Sequence, residues 1–218
     1  MSREYHVPPP GDTGDPLDRH HVPEGLSDRV AFALTKGLRF IADVFFARRY
    51  GHRAVVLETV AGVPGMVGGM VRHMRSLRRL EHDRGWIHTL LAEAENERMH
   101  LMTFIEIARP NLFERGVILV AQGVFFTCFL CLYVVSGRTA HRLVGYFEEE
   151  AVYSYTEYLA RVDRGEVENI PAPHIAIEYW KLSPDARLRD VIVAVRADEA
   201  AHRDVNHGFA DSFDHGTA

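Results

Sequence analysis

Cysteine is nearly missing. Cys128 and Cys131 are the only two in 218 residues, which excludes a disulfide framework. They form a C-x-x-C inside the apolar run FFTCFLCLY with no further Cys or His beside it, so both are predicted to be buried small hydrophobes rather than a redox or zinc motif. A surplus of positive charge is missing too, and the net charge of −5 gives no general case for nucleic acid as a partner. No run of alternating apolar and polar residues appears, so strands are not predicted. The N-terminus lacks both the apolar stretch of a secretory signal and the Arg-rich, acid-poor character of a transit peptide. Histidine, by contrast, is plentiful at 13 residues, and the useful question is where they sit.

The organisation reads as one helical domain. Residues 1–27 are Pro/Gly-rich and polar, and are predicted to be a flexible arm in which His20 and His21 face solvent. Residues 28–210 form the folded domain, and 211–218 are expected to fray. Helices are predicted over about 27 to 50, with Ser27 as cap, and over about 53 to 78, 83 to 108, 114 to 136, 138 to 163 and 185 to 210. The link between the last two holds three prolines and cannot be one continuous helix. The fold class is all-α.

Within AENERMHLM, Glu97 stands three places before His100, and within VRADEAAHRD, Glu199 stands three before His202. Three residues of helix turn the chain by about 300°, so each pair projects from one face. Two such pairs, with one further Glu from each of two other helices, are the ligand set of a four-helix di-iron carboxylate bundle. Glu58 is the only acidic residue of AVVLETVAGVPGMVGGMV, and the fifth helix offers Glu148, Glu149 and Glu150, among which periodicity does not choose. Four carboxylates and two imidazoles suit iron or manganese, and two divalent ions nearly neutralise the four negative charges. Gly62, Gly65, Gly68 and Gly69 leave room for a neighbouring helix, and Pro64 is expected to kink the helix beyond Glu58.

LETVAGVPGMV, NERMHLM, FEEEAVYSYTEYL and RADEAAHRDVNH, in this order and together with EYWKLSPDARLRDVI, resemble the signature motifs of the alternative oxidases over about residues 28 to 210. That resemblance implies a ferritin-like four-helix bundle with two additional helices facing a membrane, carrying two iron ions. It implies Glu58, Glu97, His100, Glu148, Glu199 and His202 as metal ligands, with Glu149 and Glu150 left at an outer face or interface. It also implies Tyr155 as the tyrosine beside the metals, Asn96, Asp198, Tyr179 and Trp180 as the residues around the ligands, and Arg53, Leu57, Ala151 and Ser154 as the quinol pocket. One departure is Ala201, where many relatives carry a second His before the ligand. The histidines at 73, 82, 88, 141, 174 and 207 match no ligand position and are expected to be structural.

The run from Gly116 to Gly137, 22 residues with Gln122 as the only strongly polar side chain, is long enough to cross a bilayer. A single crossing would put Glu58 and Glu97 on one side and Glu148 and Glu199 on the other. The helix is therefore expected to lie along one leaflet or else to be buried by protein, and a monotopic protein fits the first. The first helix, with Arg29, Lys36, Arg39, Arg48 and Arg49, is its companion. The resemblance further implies ubiquinol and O2 as substrates, reduction to water without proton pumping, a place in respiratory electron transport, and a homodimer. With no transit peptide, the expected location is the cytoplasmic face of a bacterial inner membrane. Alternatives on the same bundle are a quinone-ring hydroxylase or plastoquinol oxidase, and, more distantly, a ferritin-like iron-handling protein.

Overall fold

The computed structural model describes residue 17, residues 19–46 and residues 50–214; for residues 41, 43–46, 50–53, 56 and 214 it describes the backbone alone. Most of the N-terminal arm, Arg48, Arg49 and the last four residues therefore lie outside the described residues. The described chain forms seven helices: α1 (Leu26–Phe46), α2 (Tyr50–Arg79), α3 (Trp86–Ala108), α4 (Leu112–Val135), α5 (Gly137–Asp163), α6 (His174–Trp180) and α7 (Leu188–Asp214). Among the described residues there is no strand, only an isolated bridge between Pro171 and Arg187. The all-α expectation holds.

Helix ends follow local chemistry. Gly85 begins α3 at φ 88°, a left-handed conformation that glycine adopts without a Cβ penalty. Asn111 accepts from the Glu114 amide at 2.9 Å while the Glu114 side chain accepts from the Asn111 amide at 2.8 Å, a capping box that starts α4 just after Pro110. Ser136 both ends α4 and caps α5 by accepting from Thr139. Ser27 is not the α1 cap: it lies in the first turn, its hydroxyl 2.8 Å from that of Thr139, and Asp28 accepts from the Glu24 amide instead. Pro64 sits inside α2, whose helix runs on to Arg79. α7 continues through Asp214, beyond the end drawn from sequence. The Pro-rich link holds a short helix, α6, that the sequence reading did not contain.

α2 packs along α3 and α5 along α7, and the two pairs make the bundle. Leu188, Val191, Ile192 and Val195 of α7 are all at most 2% exposed, packed with Phe104, Tyr155 and Leu159. Each such side chain contributes about 1.5–3 kcal/mol on burial. The α2–α3 contact depends on small residues. A Cβ on Gly62 would lie 3.6 Å from the Glu97 Cβ, whereas a Cβ on Gly65 would press into the Leu90 carbonyl oxygen and the Ala94 amide. Gly65→Ala is therefore expected to destabilise by about 1–3 kcal/mol, because backbone cannot move aside cheaply. Gly37→Ala, on an α1 position with nothing nearby, should instead stabilise by about 0.5–1 kcal/mol. Thermal unfolding of both variants checks the pair; melting points that rise together would refute the close approach.

α4 is not a core helix. Only Phe129 and Tyr133 are buried, while Leu112, Phe113, Leu119, Val120, Val124, Val134 and Val135 are all at least 60% exposed. Among the described residues it is the one helix long and apolar enough to cross a membrane. α1 adds exposed Val30, Leu34, Leu38 and Phe40. Cys128 and Cys131 are free and exposed on α4, not buried as predicted. Their apolar neighbours belong to an outward face, and apolarity in sequence does not distinguish such a face from a core.

His21 also differs from expectation. Its side chain is 26% exposed, its ring stacks on His207 at 4.8 Å, and its Nε2 lies 3.2 Å from Asp28. His20 remains largely exposed but reaches Glu149 at 3.2 Å. Residue 17 and residues 19–21 are thus held against α5 and α7, with Arg203 also donating to the Leu17 and Arg19 carbonyls.

Candidate metal centre

Glu58 on α2, Glu97 and His100 on α3, Glu148 on α5, and Glu199 and His202 on α7 converge at the bundle centre, and all six are buried. Each offers an atom to one of two overlapping groups: Glu58, Glu97, His100 and Glu199; and Glu97, Glu148, Glu199 and His202. Within each group the candidate ligand atoms lie no more than 4.8 Å apart. Glu97 and Glu199 belong to both, the positions from which a carboxylate can serve two ions. His100 Nδ1 stands 3.4 Å from Glu58 and Glu97 and 3.3 Å from Glu199, and His202 Nδ1 stands 2.7 Å from Glu97. α4 separates these residues in sequence but not in space.

Close approach here is not hydrogen bonding. Glu58 Oε2, both Glu97 oxygens, His100 Nδ1, Glu199 Oε2 and His202 Nδ1 are buried without a hydrogen-bond partner. Buried polar atoms are almost always paired, so a cluster of orphans aimed at one point marks a place built for something else. Lone pairs converging from carboxylates and imidazoles fit hard or intermediate cations.

The electrostatics agree. Burial, reinforced by the charge of Glu199, pushes the Glu58 and Glu148 carboxyls well above their ordinary range. Burial pushes Glu97 the same way, but His100 and His202 outweigh it and hold it well below. Burial works against charging the two imidazoles, yet the surrounding carboxylates raise both well above the usual histidine value. So many buried carboxylates are tolerated only with compensating positive charge, carried by protons or by cations.

Asn96, Asp198, Tyr179 and Trp180 meet one another beside His100. Asp198 Oδ2 accepts from His100 Nε2 at 3.2 Å, Trp180 Nε1 at 2.7 Å and Asn96 Nδ2 at 3.0 Å, and Asn96 also donates to the Tyr179 hydroxyl at 2.9 Å. Asp198 therefore fixes the His100 ring so that Nδ1 faces the centre. Tyr155 donates its hydroxyl to Glu58 and stacks on Phe104 at 5.6 Å. Burial and the Glu58 charge raise its pKa well above the phenol value, so it keeps its proton.

The proposed quinol residues are less gathered. Leu57, Ala151 and Ser154 are half-buried beside Glu58 and Tyr155 on α2 and α5. The Arg53 side chain lies outside the described residues. A cavity of about 1020 Å³ opens between Thr59, Ile105, Arg115 and Gln122, and Leu57, Ala151 and Ser154 are not among the described residues that line it.

Glu149 and Glu150, expected at an outer face or interface, both face neighbouring segments of this chain. Glu149 is buried, accepting from His207 Nε2 at 3.0 Å and the His21 amide at 2.7 Å. Glu150 is half-buried and pairs with Lys36 and Arg39 of α1. Sequence reasoning missed Glu93, buried one turn before Glu97, whose pKa burial pushes up to about 7 and whose two oxygens accept from Asn206 at 3.0 Å. The signal was available: Glu93, Glu97 and His100 share a helix face, as do His202 and Asn206.

Residues 17–211 match the alternative oxidase family. The chain belongs to that family. Relatives within it include ubiquinol oxidase 1c, mitochondrial, of Arabidopsis thaliana, 59% identical over 195 residues, covering 89% of this chain and 59% of that protein. Ubiquinol oxidase 1a, mitochondrial, of Oryza sativa subsp. japonica is 58% identical over 200 residues, 92% of this chain and 60% of its own. The Mangifera indica ubiquinol oxidase, mitochondrial, is 60% identical over 195 residues, 89% and 61% respectively. The chain spans about three-fifths of the length of the alternative oxidases it matches.

Proposed function

We propose that this protein is a ubiquinol:oxygen oxidoreductase that reduces O2 to water at a pair of iron ions without pumping protons. The observation that carries the reading is the convergence of six buried Glu and His side chains from four helices, with Tyr155 bonded to one of them. The names of the alternative oxidase relatives supply the substrate. Glu58, Glu97, His100, Glu148, Glu199 and His202 would hold the metal, which when bound supplies the electron-transfer chemistry that side chains lack.

The chain's own residues do the rest. Asp198 keeps the His100 Nε2 proton and thereby the ring's orientation. Tyr155 holds a proton against Glu58 at the edge of the centre, where a reacting oxygen atom would need one. The dry surroundings of Phe104, Val191 and Val195 exclude water and strengthen each polar contact inside. Arg53, Leu57, Ala151 and Ser154 are proposed to receive the quinol ring, a reading supported by the half-buried positions of the last three beside Glu58 and Tyr155.

Membrane association is supported by the exposed apolar faces of α4 and α1, and we assign them to one leaflet. A homodimer is supported by a second apolar stripe, Met66, Met70, Met74 and Leu77 of α2 with Leu91 of α3, all exposed at helical spacing. The bacterial inner membrane expected from the sequence finds no support in the relatives described, whose names place them in mitochondria.

Oxygen uptake by the purified protein with a short-chain ubiquinol tests the function. Two quinols, each giving two electrons, should be consumed per O2, and cyanide should not inhibit. A hydroxylated quinone ring as product, or iron uptake with no quinol-dependent oxygen consumption, would replace this reading with one of the alternatives.

A further inference from the structure

Where α3 and α7 face each other, residue numbers that rise on one helix fall by equal steps on the other. His100 Nδ1 stands 3.3 Å from Glu199, Glu97 stands 2.7 Å from His202 Nδ1, and the Trp86 and Phe213 rings lie 5.8 Å apart. This is the register of antiparallel helices, and it places a further rung at Glu93 and Asn206, one turn beyond Glu97 and His202. The two side chains do meet there: Asn206 Nδ2 is 3.0 Å from each Glu93 oxygen. Glu93 is 5% and Asn206 1% exposed. On one side of this rung lie the candidate ligands, and on the other Leu90, Trp86 and Phe209 close the seam with apolar surface. Glu93 belongs to neither candidate ligand group, and a buried carboxyl is costly unless its partners are fixed.

Asn206 is held through both its nitrogen and its oxygen. Nδ2 also donates to the His202 carbonyl at 3.0 Å, one turn back along α7. Glu93 and that carbonyl both accept, so Nδ2 rather than Oδ1 must face them. Oδ1 is then turned to His141 Nδ1, which donates to it at 2.9 Å, while His141 Nε2 accepts from the Tyr133 hydroxyl at 3.0 Å. Burial lowers the His141 pKa to about 4, so the ring is neutral and has one N–H to give. The Asn206 amide therefore cannot flip, and it ties Glu93 of α3 to the turn of α7 that carries His202. At the opposite end of the ligands, Asp198 of α7 holds His100 of α3 through Nε2 at 3.2 Å.

We propose that Glu93 and Asn206 are a positioning pair, whose bond fixes α3 against α7 beside Glu97 and His202 and so aims the ligand atoms of the Glu97, Glu148, Glu199 and His202 group. The inference rests on the metal centre of the proposed function. Glu93 lies one turn from Glu97 but two turns from His100, so its influence falls on the ion of that group, and Asp198 serves the ion at His100.

The full-length protein carrying Co(II), challenged with nitrilotriacetate, tests the pair, with metal retained per chain as the readout. The parent should hold two ions. Glu93→Leu and Asn206→Leu remove the bond from either side, so one remains informative if the other fails to fold. Each should release one ion at about 10–100-fold lower chelator and keep the other within about twofold of the parent. Glu93→Gln keeps an acceptor for Asn206 Nδ2 and should retain both ions as the parent does. Asp198→Leu should also release one ion early, and together with Glu93→Leu it should release both, because the two act on different ions. An ion still tightly held in that double variant would overturn the pair, as would equal weakening of both ions by Glu93→Leu or Asn206→Leu, or no weakening of either. A Glu93→Gln protein as leaky as Glu93→Leu would show that charge, not the bond, matters, and would overturn it too. A parent that holds no metal would instead remove the centre itself, and the proposed function with it.

Discussion

Glu97→Ala is expected to strip the centre of metal and to lower ubiquinol-dependent oxygen uptake by roughly 10³-fold or more, since a bound ion contributes several kcal/mol to such chemistry. Glu97 is fully buried, belongs to both candidate ligand groups, and leaves both oxygens without hydrogen-bond partners. Its carboxyl is held ionised, because His100 and His202 keep its pKa well below the ordinary range against the effect of burial. Its loss would remove a member of both candidate ligand groups, whereas loss of Glu58 or Glu148 touches one group each. Glu95→Ala is the matched comparison. Glu95 sits on the same helix but at the surface, paired with Arg98 at 2.7 Å, and exposed pairs of this kind contribute little. Metal analysis, oxygen uptake and circular dichroism on both variants separate loss of the site from loss of the fold. A folded Glu97→Ala protein with full metal and full activity would remove the centre from where we put it.

Legibility differed between links of the chain. The two Glu-x-x-His pairs were readable because spacing on a helix is geometry: three residues return a side chain to the same face whatever packs there. Asn96 and Asp198 were legible only through the family resemblance, since adjacency to a ligand on a helix does not put a side chain on the same face. The three consecutive glutamates were not, because successive helical residues diverge by about 100° and each meets a different neighbour. Glu148 faces the bundle, Glu149 faces His207 of α7 and the N-terminal segment, and Glu150 faces Lys36 and Arg39 of α1. Three of those partners, His21, Lys36 and Arg39, are more than a hundred residues away in sequence, and nothing in the local sequence signals them. A different error befell Cys128 and Cys131, where reading apolarity as burial failed on a helix whose apolar face points outward.

His141 and His207 show a third limit. Their setting was invisible in the sequence: His141 is a neutral link between Tyr133 and Asn206, and His207 is wedged between Glu149 and Arg142. Buried polar networks are assembled from distant segments, and no local pattern announces them. The short α6 escaped for a different reason. Prolines rule out a long helix across the link but allow a single two-turn piece beginning after Pro173. That piece matters, since it carries Tyr179 and Trp180 to Asn96 and Asp198.

Tyr155→Phe is expected to keep the metal and the fold while lowering oxygen uptake by about 10²–10⁴-fold, the usual cost of removing a positioned proton donor. The substitution deletes one hydroxyl. The ring remains, still stacked on Phe104 in a core that includes Val191 and Ile192, so packing changes little. What disappears is the only phenolic proton bonded to Glu58 among the described contacts, in a place too dry for water to stand in readily. The raised pKa of Tyr155 means that it keeps this proton across the working pH range and gives it up only when the reaction makes a stronger base beside it. Tyr153→Phe, two residues earlier and half exposed, keeps the ring that lies 4.8 Å from Arg39 and should leave the rate within about twofold. The informative combination is metal content equal to that of the parent with activity lost, because loss of both would describe only a damaged site. A Tyr155→Phe protein that turns over quinol at the parent rate would reduce this residue to packing, and the proton would have to reach the centre by another path.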